Sequence, residues 1–179
     1  MCLNLLESFE KYSITNKRVA VVGSETPWVE AILLNLNNKV TTIEYNVPET
    51  TYENLECKDY FNFFQENKTP FDAVISISSI EHSGLGRYGD PLDPEGDLKA
   101  MKVILNNLKP SGTLILSCPF GKDALVWNAH RIYGPVRLPL LIDGFTEIDW
   151  FGIPKQTLFN NLLKDNSDHA VMVLQKNND

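Results

Sequence analysis

The chain has 179 residues, 43% hydrophobic and 22% charged, enough to close one core and too little for a second full domain. Its formal net charge of −7 argues against a nucleic-acid partner, because non-specific affinity for phosphates comes from clustered Lys and Arg, and favours small or weakly charged ligands. No apolar run reaches the roughly 20 residues that span a bilayer, Met1-Cys2-Leu3-Asn4-Leu5-Leu6-Glu7 lacks a basic signal head, and Cys2, Cys57 and Cys118 are odd in number and scattered, so a cytoplasmic protein with free thiols is expected.

Leu3, Leu6, Phe9 and Tyr12 recur every three residues and predict a short lid or edge helix within residues 1–16. Arg18-Val19-Ala20-Val21-Val22 is a continuous apolar strand of the kind covered on both faces. The turn Gly23-Ser24-Glu25-Thr26-Pro27 leaves it, with Thr26 as N-cap and Pro27 opening a helix that runs to Leu36. Lys39 to Tyr45 alternates and is β-branched, giving a second strand that ends at Glu44. A short strand near Leu55-Glu56-Cys57 and a helical piece from Tyr60 to Gln65 follow.

Phe71 to Ser78 is the most strand-like run, and Gly84 to Gly96 is a loop with four glycines and two prolines. Leu98, Met101, Leu105 and Leu108 recur at helical spacing behind Asp97 as a cap, with Pro110 and Gly112 closing the helix. Thr113 to Cys118 is the next strand. Trp127 to Tyr133 is a dense polar-aromatic stretch, and Val136 to Ile142 is apolar but broken by Pro139. Phe145 to Phe151 and Ala170 to Leu174 read as two late strands around a helical piece, Thr157 to Leu163. Residues 1–179 are expected to form one domain, with a ligand-binding core at 17–121 and a substrate-side segment at 122–179.

The order strand, loop, helix, strand from Phe71 to Gly121 is that of a parallel crossover, and open parallel sheets bind ligands outside the carboxyl ends of their strands. Glu81 and His82 fall there. Val19 to Leu36 followed by Glu44 has the layout of a nucleoside-binding half: strand, glycine turn, helix, strand, then a carboxylate about twenty residues after the glycine. Gly23 would allow close backbone approach, and Glu44 could accept both ribose hydroxyls. A full glycine-rich fingerprint is absent, since Ser24, Glu25 and Thr26 follow Gly23. A structural turn with a solvent-facing glutamate is the alternative from these residues alone.

Taken together, Val19-Ala20-Val21-Val22-Gly23, Ile43-Glu44, Asp72-Ala73-Val74-Ile75, Ser79-Ile80-Glu81-His82 and Leu108-Lys109-Pro110-Ser111-Gly112-Thr113-Leu114 resemble the motifs of class I S-adenosylmethionine-dependent methyltransferases. More narrowly, Glu81 to Pro91, Gly96 to Met101 and Gly121 to Pro135 resemble the domain of unknown function 268 family, itself methyltransferase-like. The resemblance implies a Rossmann-like α/β/α sandwich with a mainly parallel seven-stranded sheet and one antiparallel strand near the C-terminus. It implies S-adenosylmethionine as cofactor, held by Gly23, Ser24, Glu44 and Ser79, and methyl transfer to a small or sugar-like acceptor. No metal is expected, the loop acids Asp90, Asp93, Glu95 and Asp97 reading as a solvated loop.

His82 and Glu81 are the catalytic candidates, His82 as a base for a hydroxyl acceptor; a histidine packed at the strand end is the alternative. Trp127, His130, Arg131 and Tyr133, joined by Tyr88, are expected to face the acceptor, with Arg131 anchoring an anionic part. Glu25 would place a negative charge beside the cofactor carboxylate. Two rival functions stay open: a non-catalytic ligand-binding or interaction domain, and a nicotinamide-dependent oxidoreductase, which the late strand pair disfavours.

Overall fold

The computed structural model describes residues 2–160 and 170–178. Its centre is a seven-stranded sheet built from β1 (Arg18–Val22), β2 (Lys39–Glu44), β3 (Leu55–Asp59), β4 (Phe71–Ile77), β5 (Leu108–Ser117), β8 (Phe145–Phe151) and β9 (Val171–Lys176). The spatial order is β3-β2-β1-β4-β5-β9-β8. β1 to β5 pair in parallel, whereas β9 runs antiparallel to both β5 and β8. A two-stranded hairpin, β6 (Ala124–Val126) with β7 (His130–Ile132), stands apart from the sheet.

Alternation along the central strands makes three layers, because successive side chains leave opposite faces of a sheet. Val19, Val21, Ala73, Ile75, Val171 and Val173 form one core with Leu5 and Phe9 of α1 (Cys2–Lys11) and Val29 and Leu33 of α2 (Trp28–Asn35). Ala20, Val22, Val74, Leu114 and Leu116 form the other, against Met101 and Ile104 of α4 (Gly96–Asn107) and Leu138 and Leu141 of α5 (Leu138–Leu141). Phe63 and Phe64 of α3 (Tyr60–Glu66) close that second layer. The buried, β-branched centre of β1 and β4 is what a strand covered on both faces requires.

Of the two places expected for the first helix it takes the edge: Lys11 Nζ and Tyr12 Oη reach Asp149 of β8 at 2.5 and 3.0 Å. Four local expectations change. Pro27, not Thr26, is the N-cap of α2, and no side chain caps it. Glu95 stands at the N-cap of α4, while Asp97 is buried within the helix and turned to other partners. Residues 109–112 are not a turn that closes the helix before the strand; they lie inside β5 and bulge from it. The pairing jumps from Phe71↔Leu108 to Ala73↔Thr113, and Ser111 adopts a positive φ of 56°. The late helix is α6 (Lys155–Asn160), and the rest of the expected piece to Leu163 lies outside the described residues. Among the described residues, no helix is long and apolar enough to cross a membrane.

Candidate active site

The strand order reverses between β1 and β4, the place where an open α/β sheet leaves a crevice at its carboxyl edge. A cavity of about 510 Å³ lies there, bounded by the ends of β1, β2 and β4 and by the loop that follows β4. That volume is within the range of small-molecule sites, roughly 300–1,000 Å³. Gly23, Ser24, Glu44 and Ser79 all line it, as do Glu25 and Trp28.

Gly23 is where backbone conformation and space both demand glycine. Its φ is +77°, and a Cβ there would overlap the Ser79 side chain. The Gly23 N–H donates to the Ile43 carbonyl at 3.1 Å, which ties the turn to the end of β2. Glu44 completes the tie: its carboxylate accepts from the Ser24 N–H through Oε1 and from the Tyr45 N–H at 3.1 Å through Oε2. Each oxygen keeps a second lone pair, so Glu44 retains capacity to accept hydroxyl donors from a ligand. Beyond it, Tyr45 and Tyr60 stand with ring centroids 4.9 Å apart and line the cavity. Burial pushes the Tyr45 phenol up to about 12, so this part of the wall is uncharged.

The loop after β4 opens with Ser78 at a positive φ of 50° and then a single 3-10 turn, Ile80–His82. His82 lines the cavity, and its Nδ1 lies 2.5 Å from the carbonyl of Ala129 in the β6–β7 hairpin. A carbonyl only accepts, so Nδ1 carries the proton and Nε2 keeps its lone pair. Burial, the leading cause, holds the imidazole below its ordinary pKa, so the ring is neutral near pH 7. Glu81 points inward instead. It is 2% exposed, burial pushes its carboxyl up to about 8, and its Oε2 has no hydrogen-bond partner among the described residues. Its Oε1 is 3.8 Å from His82 Nε2, too long for a hydrogen bond.

The polar-aromatic cluster after β5 does not converge on this cavity. Arg131 is 4% exposed, and its guanidinium is spent on the carbonyls of Ser83, Pro94 and Asp93 at 2.6, 3.3 and 3.4 Å, with Asp97 3.7 Å away. A planar five-donor group buried among carbonyls is a bolt between segments, not an anchor for a ligand. Tyr133 is fully buried in the second core, its hydroxyl donating to Asp97 Oδ2 at 3.0 Å. Asp97 also receives Arg137 through two hydrogen bonds of 2.6 and 2.8 Å. Trp127 is 78% exposed in the hairpin turn and does not line the cavity. His130 is half-buried beside His82, ring centroids 6.3 Å apart, but is not part of the wall. Of the expected acceptor residues only Tyr88 lines the cavity, its ring 5.5 Å from that of His82.

Two residues matter here that the sequence did not single out for these roles. Asp90 lines the cavity and folds the loop around itself, accepting from the Gly84 N–H at 2.6 Å and the Tyr88 N–H at 3.3 Å. Asp123 gathers the N–H groups of Gly134, Val136 and Arg137 at 2.9 to 3.0 Å, which fixes the exit from the hairpin. Short acids beside Gly and Pro are the signal for such backbone-capping loops.

The model of one family, described as a Caenorhabditis protein of unknown function, DUF268, matches residues 16–177. No curated protein matches the chain. Among solved structures, the chain is similar to Burkholderia thailandensis 1,6-didemethyltoxoflavin-N1-methyltransferase, bound to 1,6-didemethyltoxoflavin and S-adenosylhomocysteine, with 15% identity and a TM-score of 0.67 over 96% of this chain and 76% of that one. It is also similar to the N-methyltransferase NodS from Bradyrhizobium japonicum WM9, with 11% identity and a TM-score of 0.65 over 99% and 94% of the two chains. A third likeness is to the CcbJ methyltransferase from Streptomyces caelestis, with 11% identity and a TM-score of 0.61 over 98% and 89%. The fold is that of the class I methyltransferases, antiparallel β9 included.

Proposed function

Because this chain belongs to the DUF268 family and folds as a class I methyltransferase, we propose that it transfers a methyl group from S-adenosylmethionine to a small acceptor. The observation that carries the reading is the convergence of Gly23, Glu44 and Ser79 on one cavity at the switch point of the sheet. The residues fit the cofactor. Glu44 stands at the tip of β2 with acceptor capacity for a ribose diol, and the Gly23 turn leaves backbone, not side chain, against the ligand. The Tyr45 and Tyr60 rings offer an apolar wall to a purine. Bound there, S-adenosylmethionine would supply an electrophilic methyl on a cationic sulfur.

The chain's own residues do the remaining work. Ser24, Glu44 and Ser79 bind, while the Gly84 to Gly96 loop, tied by Asp90, closes one side of the cavity with Tyr88 and Asp90. His82 orients toward the acceptor with Nε2 as the proton-accepting atom, its tautomer held by Ala129. Glu81 is a buried neutral acid behind that turn and positions it; it does not take the substrate proton.

A second reading has one observation in its favour. Ser24 N–H, a donor that a ligand could use, is already taken by Glu44. In that reading the domain binds a nucleoside and does not turn over. Calorimetric titration with S-adenosylmethionine, S-adenosylhomocysteine and nicotinamide cofactors, followed by release of labelled methyl to trial acceptors, separates the two. Binding of both adenosyl ligands with transfer supports the enzyme; binding without transfer supports the second reading; preference for the nicotinamide cofactors overturns both.

A further inference from the structure

Among the described residues, the cavity wall carries three carboxylates, Glu25, Glu44 and Asp90, and no Lys or Arg. The nearby cations are committed elsewhere: Arg131 to backbone carbonyls, Arg137 to Asp97 and the Pro94 carbonyl. Arg87 lies against the Tyr88 ring, 5.6 Å from its centroid, and is not part of the wall. The Ser24 N–H that could meet an anion is already engaged by Glu44. An acceptor bearing a carboxylate or phosphate would meet the charge of Asp90 with no Lys or Arg among the described lining residues to offset it, whereas a cation would meet opposite charge and aromatic faces.

On these grounds we infer that the acceptor is a protonated amine, held by Asp90 and the ring of Tyr88 beside His82. Asp90 suits the part because it is buried, fixed by two backbone N–H groups, and still has a free lone pair on each oxygen. It lines the same cavity as His82 and Tyr45. Among the described residues, His82 is the only imidazole of the wall, and its Nε2 is unprotonated. The amine gives one proton to that Nε2, and the freed nitrogen lone pair forms the new N–C bond. As it forms, the C–S bond of the sulfonium breaks and its electron pair stays on sulfur, leaving a neutral thioether and a methylated ammonium. The reaction step rests on the methyl-transfer reading; the preference for a cation does not.

Three probes of one shape, benzylamine, benzyl alcohol and benzoate, test the inference by calorimetric titration of the whole protein with and without saturating S-adenosylhomocysteine. One charge-assisted hydrogen bond corresponds to about tenfold or more, so benzylamine is expected to bind at least that much tighter than benzyl alcohol, with benzoate weakest. The benzylamine affinity should fall as salt is raised. Asp90→Asn should erase the preference for benzylamine; should that loop misfold, the salt dependence of the unaltered protein carries the test. Benzoate binding as well as benzylamine, equal binding of all three, or binding of none overturns the inference. Failure to bind S-adenosylhomocysteine while benzylamine is still preferred would instead overturn the methyl-transfer reading alone.

Discussion

The side chain of Ser79 fills the space that a Cβ on Gly23 would occupy, so the end of β4 and the turn after β1 interlock at a single glycine. Both residues line the cavity, and the interlock sets its floor. Gly23→Ala should therefore suffer twice, from overlap with Ser79 and from a side chain at positive φ, the latter costing roughly 1–2 kcal/mol. Adding Ser79→Gly should relieve the overlap and recover part of the loss but not the backbone strain. Denaturant unfolding of the two single variants and the double variant reads this coupling directly. Additive effects would show that the two residues do not share the space.

Arg131 is expected to hold structure, not substrate. Arg131→Ala strands the part-buried carbonyls of Ser83, Asp93 and Pro94 and leaves Asp97 with Arg137 as its remaining cation, so a loss of about 1–3 kcal/mol follows, as for polar groups left without their donor. Chemical denaturation checks the magnitude. A fully stable variant with weaker acceptor binding would return Arg131 to the ligand.

The buried carboxyl of Glu81 makes stability depend on pH. Its folded pKa of about 8 lies above the ordinary 4.5, so the folded state holds a proton that the unfolded chain releases. This contribution is fully present below pH 4.5 and is lost as pH rises through about 8. Glu81→Gln, which mimics the neutral acid, should flatten the decline. Thermal melts from pH 5 to pH 9, about the window between those values, should show wild type and variant converging at the acid end and diverging at the alkaline end. Parallel curves would mean that Glu81 is ionised and solvated in the folded protein.

His82 is held below its ordinary pKa of 6.5, chiefly by burial, so the acid limb of turnover should fall below that value. His82→Asn should lower turnover while S-adenosylhomocysteine affinity stays. A pH–rate profile with its acid limb well above 6.5 would assign the base to another group.

The sheet was legible because β1, β2 and β4 are apolar or β-branched runs closed by Gly23, Glu44 and Ser78, and β9 was legible as a further continuous apolar run. Gly23, Ser24, Glu44 and Ser79 could be placed in the cavity because strand ends in a parallel sheet share one edge. The hairpin could not be read. Its strands are three residues each, too short for any periodicity, and Asn128 turns between them at a positive φ of 49°. Arg131 and Tyr133 were misplaced for that reason: a residue in a three-residue strand has no readable face. The carbonyls that hold Arg131 come from two separated segments, 83 and 93–94, whose meeting only the fold creates. Asp97 looked like a cap from sequence, yet its partners Tyr133 and Arg137 lie 36 and 40 residues away.

The most direct measurement is a calorimetric titration of S-adenosylhomocysteine into the wild-type chain and into Glu44→Ala, with circular dichroism confirming that both are folded. Glu44 carries the expected contact with the ribose, and removing a charge-assisted hydrogen-bond acceptor should weaken affinity by about ten- to a hundredfold, roughly 1.5 to 3 kcal/mol. Saturable binding by the wild-type chain with that loss in the variant is the predicted result. Equal affinity in the two proteins, or no binding to either, would contradict a cofactor site at the ends of β1, β2 and β4.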